Sequence, residues 1–577
     1  QNFFQERLGK VEGVTEVPAD LTNPKEQGTL GTLYTPLDFT AIDNFCRQHN
    51  ISPAHHILAA TFYALSRFAN NEQLCISTIS NGRSDLRISN TVGMFVNTLA
   101  LSATIGEQSV MEFINETSKN FDETLQHETY PFTRIASDYD LTAEIMFAYQ
   151  MGIIDDYKYK GETIAVETFE SDTPKFRIAF FIMNDESGKP SICLQYDNGR
   201  YSHELMECLA QSISNAANAF ISNPTAPLKN VSLLDDKQVA LLDSFNQNDV
   251  DYDNTQTVVS LFRRQVELHP DNIAMVYHDI RLTYKQVDEQ SERIAQYVQS
   301  LGLGNEDVVS ILIPRSEWMV VASIGVLKAG CAYQPLDPSY PAERLNFMMQ
   351  DASAKLLIAD EELRPIVNEY QGKVLLTKDI AALPAATVPV KADITPSSLF
   401  IMLYTSGSTG TPKGCQLEHG NLVCFCHWYH RYYGLQPCDK VAAYASYGFD
   451  ACMMDMYSAL TCGATVYIIG EDIRLNLPDL NEYFNREGIT HSFMTTQVGC
   501  QFAMNFDNHS LRHLSVGGEK ILPLTPPTAY QLHNGYGPTE CTIFTTISPL
   551  KDFEQNAPIG KPLDNFRLYI VDKQLNR

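Results

Sequence analysis

The stretch Tyr404–Gly414, Tyr-Thr-Ser-Gly-Ser-Thr-Gly-Thr-Pro-Lys-Gly, concentrates residues able to hold an anion. Glycines let backbone N–H groups turn inward, hydroxyls add donors, and a lysine supplies a point charge, a combination suited to phosphate. Thr405, Ser406, Gly407, Ser408, Thr409 and Gly410 are the candidate cradle, and Lys413 is the candidate charge. The run is not a Walker A loop, because Gly414 follows Lys413 where a Ser or Thr would hold magnesium. On composition alone such a loop is more often a linker. Here it follows Leu399–Leu403, an apolar run that reads as a buried strand.

Two later stretches carry chemistry of the same kind. Asn534-Gly-Tyr-Gly-Pro-Thr-Glu540 puts an aromatic, a hydroxyl and a carboxylate into one Gly/Pro turn. Such a set can stack on a base, touch a phosphate and hold magnesium, although a plain turn has the same composition. Ser515-Val-Gly-Gly-Glu-Lys520 follows another apolar strand. Asp450 is acidic beside the apolar Ala451-Cys-Met-Met454, where a helix N-cap is the simplest reading.

These residues need a scaffold, and the chain has room for one. Its 577 residues suggest about three to five domains. With 44% hydrophobic and 19% charged residues it is an ordinary globular sequence. A formal charge of −27 makes nucleic acid and anionic lipid poor partners. The 13 cysteines show neither a Cys-x-x-Cys pair nor a Cys/His ligand spacing, so zinc and a disulfide framework are not indicated. No apolar run is long enough for a membrane span and no signal peptide opens the chain, so a reduced cytoplasmic setting is the default expectation. Both ends read as cut.

The elements alternate. Leu37–His49 and Pro53–Phe68 read as helices, Leu74–Ser80 as a strand, and Phe176–Met183 with Ser191–Tyr196 as a strand pair. Ser202 caps a helix running to about Ile221. Asn223-Pro-Thr-Ala-Pro227 then breaks the pattern. From about Thr257, strands such as Val308–Ile313 alternate with helices such as Met319–Ala329, which implies a parallel α/β sheet. Asn421–Tyr433 is a further helix, and Tyr447–Asp450 is expected to end a strand.

The phosphate-loop run resembles that of the adenylate-forming enzymes, specifically the adenylation domain of a nonribosomal peptide synthetase. Leu327–Asp337 and Asn534–Glu540 resemble further signatures of that domain. Val92–Leu99 and, more loosely, His127–Phe132 resemble signatures of the condensation domain's C-terminal lobe. The resemblance implies a condensation C-terminal lobe, a CoA-dependent acyltransferase-like α/β sandwich, over 1–222 and a linker over 223–256. It implies an adenylate-forming N-terminal core with parallel-rich αβαβα sheets over 257–577. His55-His56 lacks the Asp-Gly that completes the family's condensation motif, and reads as a pair of helix histidines.

The resemblance also implies roles. Tyr536 would lie against adenine, Asn534 near its amino group, Thr539 on the α-phosphate and Glu540 on magnesium, with Lys413 and Gly517, Gly518, Glu519 and Gly537 in the nucleotide site. Asp450 would pair with the α-ammonium of an amino acid, in a pocket completed by Ala451, Met454, Phe493, Ser515, Gly517, Gly535, Ile543 and Phe544. With no second charge in that set, a neutral apolar substrate is expected, and an aromatic is the fallback because two glycines leave depth. ATP, magnesium and a carrier-bound phosphopantetheine are the implied cofactors. A peptidyl carrier protein and the rest of a multidomain synthetase are the implied partners. An acyl- or aryl-CoA ligase and a non-catalytic carrier-docking scaffold are the alternatives. The family's ribose-binding Asp and the Lys of its small domain match nothing up to Arg577, so little adenylation is expected from this stretch alone. An unpaired strand is expected near Phe566–Val571.

Overall fold

Hydrophobic runs bounded by Gly, Pro and Asn give the strands, and helices with hydroxyl or carboxylate caps connect them. The computed structural model describes all residues except 1, 10–14, 22–27, 85, 89–90, 143, 152–156, 161, 165–171, 387, 407–411, 554–555, 572–574 and 576–577. Contacts divide the chain into two units, Gln1–Leu242 and Asp243–Arg577. No helix among the described residues is long and apolar enough to cross a membrane.

The first unit is built on a mixed sheet of six described strands. It runs from Leu30–Pro36 through Pro190–Asp197, Ile178–Asn184, Ile145–Tyr149 and Gln73–Ser80 to Asn97–Thr104. The helices Pro53–Phe68 and His203–Ser222 pack together on it, each started by a serine whose hydroxyl accepts a backbone N–H, Ser52 from Ala54 and Ser202 from Leu205. His56 bonds the Ala217 carbonyl through Nε2 at 2.9 Å, and His55 shares a 2.6 Å hydrogen bond with Ser118. Burial lowers the pKa of both rings, so they are neutral packing groups. In the Val92–Leu99 signature the strand begins only at Asn97, and Val92 and Met94 are exposed.

The second unit contains two sheets. One runs Lys373–Leu376, Leu356–Ala359, Val308–Leu312, Ala332–Leu336, Leu399–Ser406, Pro412–Glu418, parallel except for the last pair. The other has nine described strands. Ile280–Thr283 and Ile273–Tyr277 lead to Thr465–Ile468, Lys440–Ala443, His491–Thr495, His513–Gly517 and Gln531–Tyr536, and the far edge is Thr546–Leu550 and Lys561–Pro562. From Ile273–Tyr277 to Gln531–Tyr536 every neighbour is parallel. Val308–Leu312 and Ala332–Leu336 are buried throughout, as parallel strands covered on both faces must be. All ten residues of helix Ala451–Leu460 are buried, and helix Trp318–Lys328 is buried in all but its first, so both are core helices. They share one hydrophobic cluster with strands of both sheets.

Three expectations are corrected. Phe566–Val571 forms no strand, because its backbone groups bond asparagine side chains: Asn248 Nδ2 donates to the Phe566 carbonyl, Asn246 Nδ2 to the Leu568 carbonyl, and the Leu568 N–H donates to Asn246 Oδ1. Tyr447–Asp450 ends no strand either; the strand Lys440–Ala443 stops earlier and an irregular segment, Tyr444–Asp450, follows. The run Tyr404–Gly414 is only partly loop, since Tyr404–Ser406 pairs antiparallel with Pro412–Gly414.

Candidate active site

Phe493, Ser515, Gly517, Gly535 and Tyr536 lie toward the carboxyl ends of parallel strands in the nine-stranded sheet, where open α/β sheets bind ligands, while Thr405, Ser406 and Lys413 are on strands of the six-stranded sheet. Gly517 closes His513–Gly517, Tyr536 closes Gln531–Tyr536, and Asp450 follows Lys440–Ala443 through the irregular segment. The register places Phe493 beside Ser515 and Gly517 beside Gly535. With a period of two, Phe493, Ser515, Gly517 and Gly535 therefore share one sheet face.

Asp450 stands at the N-cap of helix Ala451–Leu460, but its side chain makes no capping hydrogen bond. Instead Oδ2 accepts the Thr539 hydroxyl at 2.6 Å. Burial raises the Asp450 carboxyl above the ordinary aspartate value and the Glu540 carboxylate raises it further, against the Thr539 hydrogen bond, which lowers it. Among the described residues no Lys, Arg or His forms an ion pair with Asp450. Thr539, expected on the α-phosphate, thus has its hydroxyl on the carboxylate expected to read the amino acid.

Of the residues expected to line an amino-acid pocket beside Asp450, Ala451, Met454, Phe493, Ile543 and Phe544 are apolar and all buried. Ser515 turns its hydroxyl to Tyr433 Oη at 2.6 Å. The depth expected over the two glycines is already filled. A Cβ on Gly535 would lie 2.5 Å from the Phe544 ring, and one on Gly517 would lie 3.2 Å from it. The Phe493 and Phe544 ring centroids lie 6.0 Å apart. Thr542 and Ile543 adopt left-handed backbone, with φ of 65° and 73°, which is uncommon for β-branched residues.

The nucleotide residues are split by what is described. Thr405 pairs with Lys413 across the hairpin, Ser406 pairs with Pro412, and Lys413 is exposed. Gly407, Ser408, Thr409 and Gly410 lie outside the described residues. Strand Pro412–Glu418 packs against the short 3-10 turn Thr539–Cys541. The electrostatics report the same proximity: the Cys415 thiol is pushed up to about 11, first by burial and then by Glu540 and Asp450. Tyr536 is 53% exposed, so its ring face is open to a base. Glu540 is exposed, an acceptor-only carboxylate that an oxygen-seeking cation can reach. Asn534 is buried and its Nδ2 donates to the Pro558 carbonyl at 2.9 Å. Gly518 has φ of 102°, and Glu519 exchanges hydrogen bonds with Thr496 through its N–H and carbonyl. The Gly537 Cα lies so close to Ile543 that an added Cβ would meet the Ile543 carbonyl at 2.5 Å.

Sequence reasoning missed the layer behind the pocket. His491, His513 and His533 stack across three neighbouring strands, with ring centroids 5.2 and 5.3 Å apart. His513 Nδ1 and His533 Nε2 share a 3.1 Å hydrogen bond, and Tyr432 Oη lies 3.2 Å from His533 Nδ1. Burial lowers these rings to about 3, 4 and 3 respectively, so they are neutral. The available signal was one histidine in each of three successive apolar strands: His491 pairs with His513, and His533 sits two residues further along, opposite Ser515. Also missed were Arg315 and Asp455; a carboxylate inside Met453-Met454-Asp455-Met456 was the sign of a buried polar role.

The chain is similar to known proteins over its whole length. The family model described as AMP-binding enzyme matches residues 262–577, and the one described as condensation domain matches 1–242. Surfactin synthase subunit 1 of Bacillus subtilis (strain 168) is 32% identical over 592 residues, covering 99% of this chain and 16% of that protein. Bacitracin synthase 1 of Bacillus licheniformis is 31% identical over 540 residues, covering 92% of this chain and 10% of that protein. This chain therefore spans only a small part of the length of these relatives. Among solved structures, holo-AB3403, a four-domain nonribosomal peptide synthetase bound to AMP and glycine, superposes with a TM-score of 0.85 at 20% identity, over 100% of this chain and 45% of that one. The nonribosomal peptide synthetase FmoA3 in its alpha-methyl-L-serine-AMP bound form also gives a TM-score of 0.85 at 20% identity, over 100% of this chain and 67% of that one.

Proposed function

Because this chain belongs to the AMP-binding enzymes, joined to a condensation domain as in the nonribosomal peptide synthetases, we propose that its second unit activates a neutral amino acid as an aminoacyl adenylate. The observation that carries this reading is Asp450. A partly buried carboxylate held only by neutral donors, the Thr539 hydroxyl foremost, with no cation among the described residues, is costly until a positive group arrives. The α-ammonium of an amino acid is such a group. Fatty and aryl acids have none, which disfavours an acyl- or aryl-CoA ligase.

The reaction this implies is attack of the amino acid carboxylate on the α-phosphate of ATP, with pyrophosphate leaving. ATP and its magnesium are substrates here. Glu540 is the residue able to ligate the cation, and Tyr536 the ring able to stack on adenine. Lys413 and the Thr405–Gly410 stretch supply charge and donors toward the phosphates, the largest lever in such chemistry. The acyl group is then passed to a phosphopantetheine thiol on a carrier partner.

The pocket favours a branched aliphatic side chain. Its apolar walls penalise an unpaired charge, and Phe544 occupies the depth an aromatic would need. The test is pyrophosphate exchange by the full-length protein, across the standard amino acids. Exchange is expected with valine, leucine or isoleucine. Preference for Asp, Glu, Lys or Arg would overturn the assignment of the pocket.

A further inference from the structure

The carboxylate that reads the substrate sits at the end of a segment with no regular structure, yet three buried or half-buried polar side chains converge on that segment. Asp455, 1% exposed, accepts the backbone N–H groups of Tyr444 and Ala445 on one oxygen, at 2.9 and 3.0 Å. Arg315 donates to the carbonyls of Ala445 at 2.8 Å and Ile469 at 2.6 Å, and also to that of Ala443. Asp337 accepts the Ser446 hydroxyl and, at 2.9 Å, the Ser339 N–H.

We propose that Asp455 is a positioning residue for amino-acid recognition, which together with Arg315 and Asp337 fixes the segment Tyr444–Asp450 and so aims the Asp450 carboxylate. The proposal rests on the reading of Asp450 given above.

The topology explains why polar side chains do this work. Arg315 and Asp337 follow the carboxyl ends of Val308–Leu312 and Ala332–Leu336 in one sheet, while the segment follows Lys440–Ala443 in the other. Where the strand stops, its next N–H and C=O groups lose their ladder partners and would be buried unpaired. Asp455 satisfies the N–H groups and Arg315 the carbonyls. Asp455 is on the helix that Asp450 begins, so the clamp and the reading carboxylate are fixed to one rigid element. A buried acid is kept in an apolar helix only at a cost, and the geometry shows what that cost secures.

The test is calorimetry on the full chain with two probes: a non-hydrolysable aminoacyl-sulfamoyl adenosine, valyl or leucyl, and its des-amino counterpart, with AMP alone as the control. Their affinity ratio in the unsubstituted chain is expected at roughly 10- to 100-fold in favour of the amino form. Asp455→Ala should cut that ratio by about tenfold or more while AMP affinity stays within about twofold. Asp455→Asn, whose amide oxygen accepts the same two N–H groups, should keep the ratio within about threefold. An unchanged ratio in Asp455→Ala overturns the proposal, and so does an equal loss of AMP affinity, which a merely structural role would give. Should Asp455→Ala fail to fold by circular dichroism, Asp337→Ala decides in the same way: a reduced ratio supports the proposal and an unchanged one overturns it. A ratio near unity in the unsubstituted chain instead sinks the reading of Asp450 itself.

Discussion

At the scale of single residues the account turns on charge in a dry setting. A carboxylate facing an ammonium there makes a bond worth roughly 1.5–3 kcal/mol, so Asp450→Ala should weaken amino-acid binding about 10- to 100-fold. ATP binding should be nearly unchanged, which titration of each ligand separately would check. Phe544 makes a second claim. Its ring lies against Gly535 and Gly517, so Phe544→Ala should open the pocket and shift preference toward aromatic amino acids by roughly 10-fold or more, measured as the ratio of exchange rates for phenylalanine and leucine. The charged and aromatic members of this site were legible because their types and spacing are unusual: a glycine-rich anion loop, an Asp before an apolar helix, a Tyr-Gly-Pro-Thr-Glu turn. What escaped was orientation. Nothing in the sequence says that Thr539 points at Asp450, or that Phe544 fills the space two glycines leave, because both depend on strands and turns far apart in the chain.

At the scale of elements, the helices were legible nearly to the residue where a hydroxyl cap marks them, as at Ser202 before His203–Ser222. Strand ends were less so. No strand reaches Tyr447–Asp450 because, from Tyr444 to Ser446, hydrogen bonds to Asp455, Arg315 and Asp337 replace the ladder, and at Phe566–Val571 asparagine side chains do the same. Helix crossing gives a direct check. Gly325 of helix Trp318–Lys328 approaches helix Tyr284–Ser300 so closely that an added Cβ would lie 2.7 Å from Ile294 Cβ and 2.9 Å from the Ser291 carbonyl. Gly325→Ala should therefore force the helices apart and cost about 1–3 kcal/mol, more than its gain in helix propensity. Chemical denaturation would read this as a lower midpoint at unchanged slope.

At the scale of the molecule, buried neutral histidines set the response to acid. His491, His513, His533, His419 and His430 are all lowered by burial, to about 3, 4, 3, 4 and 4. In the unfolded chain each takes up a proton near about pH 6.5. The stability they confer is thus full above that pH and is lost as pH falls toward their folded values, by up to about 1.4 kcal/mol per pH unit for each ring. Thermal unfolding of the second unit should drop steeply between about pH 6.5 and 5, before most carboxylates protonate. A flat midpoint across that window would mean these rings are charged or exposed. The central claim, that an amino acid is what the second unit activates, is tested most directly by pyrophosphate exchange with matched pairs of acids. The full-length protein would be given leucine or valine and, separately, 4-methylpentanoate or 3-methylbutanoate, which differ only in the ammonium. Exchange with the amino acid at least about 10-fold faster at equal subsaturating concentration is the predicted result. Equal or faster exchange with the des-amino acid would contradict it.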